Sequence, residues 1–156
     1  DWPGARVYRY RGRLFGTAGG HAATDILTGS AWSPGTVLDL GSFGRLELRP
    51  ATGIGLSRAR LPHDLQVTSR AAGESFRPAG AGHRRPLRKW LQERGVLPWL
   101  RQRVPLVIAH GEIVAIGDLA YGHGFDAQPG EPSWVVAWQG RPVLTEQEAL
   151  ETRRMG

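Results

Sequence analysis

The residues best suited to chemistry in this sequence are basic, and they are concentrated in one short segment. Residues 77–103 contain eight of the twenty Lys and Arg residues but only one of the fourteen acids, Glu93, and so hold essentially all of the net charge of +6. A single-signed surface of this kind is typical of contact with a phosphate backbone. The alternative is a solvated basic face that has no partner.

Arginine dominates this charge, since Lys89 is the only lysine in the chain. The guanidinium fork binds phosphate oxygens in bidentate fashion, which favours a phosphate partner further. The basic residues that we predict to contact phosphates are Arg77, Arg84, Arg85, Arg88, Lys89, Arg101 and Arg103.

No other motif predicts catalysis. The glycine-rich run from Gly16 to His21 lacks the Gly-Lys-Ser/Thr ending of a P-loop and the Ser-Gly-Gly-x-Asp-Ser order of pyrophosphate-loop ATP enzymes, so a plain turn is favoured. There is no cysteine and no Gly-x-Ser-x-Gly nucleophile elbow. Two histidines and two aspartates could in principle form a metal site, namely His110, Asp118, His123 and Asp126. No pair of them has the spacing of metal ligands on a helix. We therefore predict no catalytic residue, metal or cofactor in this chain.

Two short helices are expected to position the basic residues. Pro86 suits the first turn of a helix and Gly95 its C-terminal end. Between them, the i, i+3, i+4 spacing of Leu87, Trp90 and Leu91 predicts a buried stripe, which leaves Arg88, Lys89 and Gln92 outside. A second helix is predicted to begin at Pro98 and to bury Trp99 and Leu100 while exposing Arg101 and Arg103.

Strand patterns dominate the rest of the chain. Alternation predicts strands at 6–11 and 13–15, a hairpin over 37–49 whose Leu46 and Leu48 point inward, and strands at 65–68 and 133–138. Residues 16–35 are small and polar and are predicted to form a loop that Trp32 anchors. The clearest hairpin joins 106–109 to 112–116 through His110-Gly111, and a capping box at Thr145–Glu148 predicts a terminal helix. The expected class is α+β, with β-sandwich-like sheets and two short inserted helices.

At the level of the whole chain, we predict a soluble, cytoplasmic piece of a longer protein. The sequence opens on Asp1-Trp2-Pro3-Gly4 and has its only methionine at Met155, with no signal peptide and no apolar run of transmembrane length. We divide it into lead-in strands and loops (1–60), a core domain (61–125) and an extra strand with a terminal helix (126–156).

One region of the sequence resembles a known family. The matching runs are Gly73-Glu74-Ser75-Phe76-Arg77-Pro78, Leu87-Arg88-Lys89-Trp90-Leu91-Gln92-Glu93, Pro98-Trp99-Leu100-Arg101 and Gly111-Glu112-Ile113-Val114-Ala115. In their order and spacing, residues 65–125 are similar to the C-terminal domain of bacterial tRNA(Ile)-lysidine synthetase.

This resemblance implies a function and a fold. Enzymes of that family use ATP, with Mg, to adenylate the wobble cytidine of an isoleucine tRNA and then attach lysine, in an N-terminal domain that this chain lacks. The terminal domain would dock the tRNA body along its acceptor arm, and its fold would be similar to a module of the phenylalanyl-tRNA synthetase β chain. Two alternatives stay open at this point: a protein-interaction or dimerisation module without RNA contact, and a free-standing enzyme.

Overall fold

Antiparallel sheets and two α-helices make up the fold. The computed structural model describes residues 5–10, 13–18, 28–69 and 75–155, and it describes no side chains for 5–29 or 152–155. The helices are α1 (Leu87–Glu93) and α2 (Glu146–Met155). In chain order the strands are β1 (Ala5–Tyr10), β2 (Arg13–Ala18), β3 (Thr28–Trp32), β4 (Leu38–Asp39), β5 (Arg45–Thr52), β6 (Leu56–Ser57), β7 (Leu65–Thr68), β8 (Ser75–Phe76), β9 (Arg85–Pro86), β10 (Leu106–Ala109), β11 (Glu112–Ile116), β12 (Ala120–Tyr121) and β13 (Pro132–Gln139).

The strands form two larger sheets and two hairpins. One sheet has the order β12-β11-β10-β7-β3, the other has the order β4-β5-β13-β6, and β1-β2 and β8-β9 are two-stranded. Pairing joins distant parts of the chain, since β13 lies antiparallel to β5 with Val136 opposite Leu48. Inward residues of both sheets, among them Leu46, Val67 and Trp138, share one buried core. The predicted α+β class is confirmed.

Turn chemistry explains the best-predicted hairpin. His110 and Gly111 both have positive φ, 51° and 74°, which is the backbone of a type I′ turn between β10 and β11. A second constrained glycine lies beside β5. Gly44 has φ +90°, and a Cβ there would lie 2.0 Å from the Gln139 carbonyl oxygen, so only glycine allows this close approach to β13.

The predicted loop over 16–35 is wrong in two places. The strand β2 continues to Ala18, and Thr28–Trp32 forms β3 at one side of the five-stranded sheet. Small residues can pair there because β7 supplies buried apolar side chains, with Ser30 opposite Val67 and Trp32 opposite Leu65. Trp32 is buried, as predicted for an anchor. The part of the Gly16–His21 run beyond Ala18 lies outside the described residues.

The terminal helix begins with the predicted capping box. The Glu148 amide donates to Thr145 Oγ1 over 3.2 Å, and the Thr145 amide donates to Glu148 Oε1 over 3.3 Å. These reciprocal bonds satisfy two backbone donors that the first helical turn leaves without partners. None of the described helices is long and apolar enough to cross a membrane.

Candidate nucleic-acid interface

The helix that carries the centre of the basic segment has well-defined ends. Pro86 is its N-cap, and Gly95, at φ +73°, follows its last turn. The Gly95 amide donates to the Gln92 carbonyl and the Val96 amide to the Leu91 carbonyl, each over 3.0 Å. This pair of bonds is a Schellman motif, and it is completed by the buried contact partners Leu91 and Val96.

One face of α1 is fixed in the core, as the spacing predicts. Leu87, Trp90 and Leu91 are buried, and the Trp90 ring meets Phe76 edge to face at a centroid distance of 5.7 Å. The turn after α1 is held by the C-terminal segment, because the Leu97 amide donates to the Leu144 carbonyl over 2.8 Å. The helix therefore holds its outward residues in fixed positions.

Arg88 and Lys89 lie on that outward face. Both side chains are exposed, and neither has an ion pair or a hydrogen bond to any part of the chain that the structure describes. Because no carboxylate among the described residues pairs with them, they are the two predicted residues best placed to meet an anion from solution.

The other predicted residues that precede α1 are engaged with the protein. Arg84 is exposed, but its Nε donates to Ser75 Oγ over 3.0 Å and its guanidinium lies 3.5 Å from Glu112. Arg77 is half-buried and donates to the Ala81 carbonyl over 3.0 Å. Arg85 is half-buried and forms an ion pair with Glu93. These contacts fix the direction of each arginine and reduce its net attraction for a phosphate.

The second helix differs from its prediction. Pro98–Leu100 is a single 3-10 turn that buries Leu100, while Trp99 is only partly buried. Arg101 and Arg103 were expected to be exposed, and this is wrong, since both are half-buried. Arg101 Nε donates to the Val96 carbonyl over 2.9 Å, and the Arg103 guanidinium lies 5.5 Å from the Phe43 ring centroid. The hydrogen bond to the Val96 carbonyl and the contact with the Phe43 ring hold these two side chains against the protein and away from solvent.

Sequence reasoning missed one basic residue of this surface. Arg94 is exposed at the C-terminal end of α1, and its guanidinium lies 4.8 Å from the Trp90 ring centroid. Residues four apart on a helix are neighbours, so the Trp90–Arg94 spacing was the available signal. We call the surface formed by Arg84, Arg88, Lys89 and Arg94 the α1 basic surface.

Three of the four residues of the hypothetical metal site have other side-chain contacts. Asp118 pairs with Arg141 over 3.1 Å, Asp126 Oδ1 accepts from the Gly124 amide over 3.2 Å, and the His110 ring stacks on Phe125. Within the described ranges, no group of three or more His, Asp or Glu side chains could hold a metal ion. The described residues instead form an exposed cationic surface on and beside α1.

Comparisons with known proteins found one family and several similar sequences. Residues 65–138 match the family described as the TilS substrate C-terminal domain. The tRNA(Ile)-lysidine synthase of Methylococcus capsulatus is 35% identical over 140 residues, which cover 88% of this chain and 31% of that protein. The synthases of Alkalilimnicola ehrlichii and Coxiella burnetii are 34% and 29% identical and match 83% and 85% of this chain. The chain therefore spans about a third of the length of these relatives.

Proposed function

We propose that this chain is the tRNA-docking part of an ATP-dependent ligase. The premise is that the chain belongs, through residues 65–138, to the TilS C-terminal domain family. The proposed ligase would attach lysine to the wobble cytidine of an isoleucine tRNA. This chain would bind the tRNA body along the acceptor arm, in the cytoplasm, and would contribute no catalytic residue. Both the ATP and the Mg would be bound by the part of the enzyme outside this chain.

The proposal rests on one observation, the exposure of Arg88 and Lys89 on the outward face of α1. Both are exposed on a helix whose opposite face is buried, so binding an anion costs less ordering of the backbone. A-form RNA hides its base edges in a deep, narrow major groove and is recognised mainly by shape and backbone contacts. A short basic helix held at both ends suits that kind of recognition. We also propose that the fold of this domain is similar to a module of the phenylalanyl-tRNA synthetase β chain.

A binding assay with matched variants tests the docking role. The variant R88E/K89E reverses two charges on α1, and R45E/R49E reverses two on the outer side of β5, where Arg45 contacts Gln139 and Arg49 contacts Glu47. We expect the α1 variant to lose isoleucine tRNA binding in a gel shift and the β5 variant to retain most of it. No binding of isoleucine tRNA by the original chain would favour the protein-interaction module, and binding that neither variant weakens would refute the role of α1.

A second assay tests the assignment of catalysis to the rest of the enzyme. The 156-residue chain, incubated with labelled ATP, lysine and isoleucine tRNA, should release no AMP above background. In a complete enzyme the α1 variant should raise the KM for tRNA more than it lowers kcat, because docking is remote from the reacting atoms. Release of AMP by the isolated chain would support the free-standing enzyme instead.

A further inference from the structure

A cavity lies beside the α1 basic surface, between the helix and the loop that leads to β9. It has a volume of about 280 Å³ and is open to solvent on one side. Its lining residues are Pro78, Ala81, Arg85, Trp90, Glu93 and Arg94. Two arginines and one acid therefore surround a space with an aromatic residue in its wall.

The Arg94 guanidinium forms a stacking surface in this wall. It lies over the Trp90 ring at 4.8 Å, and Trp90 is itself fixed by its edge contact with Phe76. Only 3% of Trp90 is exposed, so the ring cannot receive a ligand directly, whereas Arg94 is exposed. Unpaired RNA bases stack on arginine planes as they do on aromatic rings.

Arg85 gives the cavity a phosphate donor. Its pairing with Glu93 orients the guanidinium and engages one of its terminal nitrogens. Arginine has five N–H donors, so others remain for a phosphate oxygen. A stacking plane for a base and a cationic donor for a phosphate together match the two ends of a nucleotide.

A larger neighbouring cavity does not suit the same ligand. It has a volume of about 440 Å³ and shares Glu93 and Arg94 with the first cavity, but Glu148 and Glu151 also line it. Glu93 and Glu148 are paired with Arg85 and Arg141, and the Glu151 carboxylate offsets the charge of Arg94, so this lining offers a phosphate no net positive charge. The charge of the lining therefore selects the cavity on the Arg85 side.

We propose that the Arg85–Arg94 cavity receives one unpaired nucleotide of an RNA whose paired stem lies on Arg88 and Lys89. This inference rests on the proposed function and names the kind of nucleotide that the site takes. Lys89 and Arg94 are five residues apart, which separates them by about 7.5 Å along the helix axis and by about 140° around it. An RNA that reaches both places therefore passes around the C-terminal end of α1, a path that a flexible unpaired strand can follow.

Three RNA probes test the inference with the 156-residue chain. The first is a blunt hairpin, the second carries a four-nucleotide single-stranded 3′ overhang, and the third carries an overhang of the same length made of abasic nucleotides. The second and third probes have the same phosphates and differ only in their bases. Because one stacked base contributes a factor of about five to one hundred, we expect the chain to bind the second probe tighter than the third by that factor.

The variant Arg94→Lys isolates the stacking plane, since it keeps the charge. We expect it to lose the preference for the base-containing overhang over the abasic overhang. The matched control is Arg49→Lys, a conservative change at an arginine of β5, which should preserve that preference. Melting curves of both variants check the fold.

The outcomes separate this inference from the proposed function. Equal affinity for the base-containing and abasic overhangs, with tight binding to the hairpin, would overturn the inference alone. A preference that survives Arg94→Lys would also overturn it. No binding to any of the three probes would overturn the proposed function and the inference together.

Discussion

Neutralising the two exposed basic residues of α1, Arg88 and Lys89, should change the salt dependence of tRNA binding by a calculable amount. Three cationic side chains of the α1 basic surface have no carboxylate partner among the described residues, namely Arg88, Lys89 and Arg94, whereas Arg84 is paired with Glu112. At about 0.9 counterions released per phosphate contact, three contacts give a log–log slope of about −2.7. The variant R88Q/K89Q removes two of them, so its slope should be about −0.9.

The corresponding loss of affinity is large enough to measure. Between 50 and 200 mM salt, the original chain should lose about 40-fold in affinity for isoleucine tRNA, and the variant only about 3.5-fold. Fluorescence anisotropy with labelled tRNA at several salt concentrations gives both slopes.

The matched control is R45Q/R49Q, which removes the same charge from the outer side of β5. We expect its slope to equal that of the original chain. If both double variants flattened the slope equally, diffuse charge would explain the binding, and the assignment of contacts to α1 would be refuted.

Four further predictions concern stability and the acids around the site. Trp90→Ala should lower the free energy of unfolding by about 3–5 kcal/mol because it empties a core position, and Trp99→Ala should cost less because that ring is only partly buried; denaturant titration compares them. Glu93→Gln should release Arg85 and steepen the salt slope for tRNA by about 0.9, and an unchanged slope would show that Arg85 makes no contact. Burial raises the pKa of Glu148, but hydrogen bonds from Arg141 and the Leu144 amide outweigh it and hold this pKa below its usual value. The stability that Glu148 contributes is therefore present above about pH 4.3 and is lost as the pH falls, so Glu148→Gln should destabilise the chain at pH 7 and flatten its acid unfolding curve. Arg141→Gln should have a similar effect, because it removes the bidentate partner of Glu148.

Local patterns predicted the elements whose causes are local. Helix α1 was predicted from the apolar stripe of Leu87, Trp90 and Leu91 and from the glycine that ends it, Gly95. The start of α2 was predicted from the capping box at Thr145–Glu148. The His110-Gly111 pair predicted its hairpin because positive φ at both residues is a property of a two-residue turn. In each case the sequence signal lies within a few residues, although distant contacts such as Phe76–Trp90 also stabilise α1.

The wrong predictions concern residues whose decisive contacts are made with other segments of the chain. Strand β3 consists mostly of small polar residues and is a strand because β7 pairs with it. Arg101 and Arg103 lie in a basic run, but a backbone carbonyl at Val96 and the ring of Phe43 draw them inward. Composition located the basic surface correctly along the chain, yet only the folded contacts distinguish exposed Arg88 from engaged Arg85.

The central claim is that α1 presents the surface on which a tRNA docks. Its most direct test is an NMR titration of the isotope-labelled 156-residue chain with isoleucine tRNA, followed by backbone amide shifts. We predict that the largest changes fall on residues 84–94 and that the outer side of β5 and β13 changes little. Changes centred on β5 and β13, with residues 84–94 unaffected, would contradict the claim.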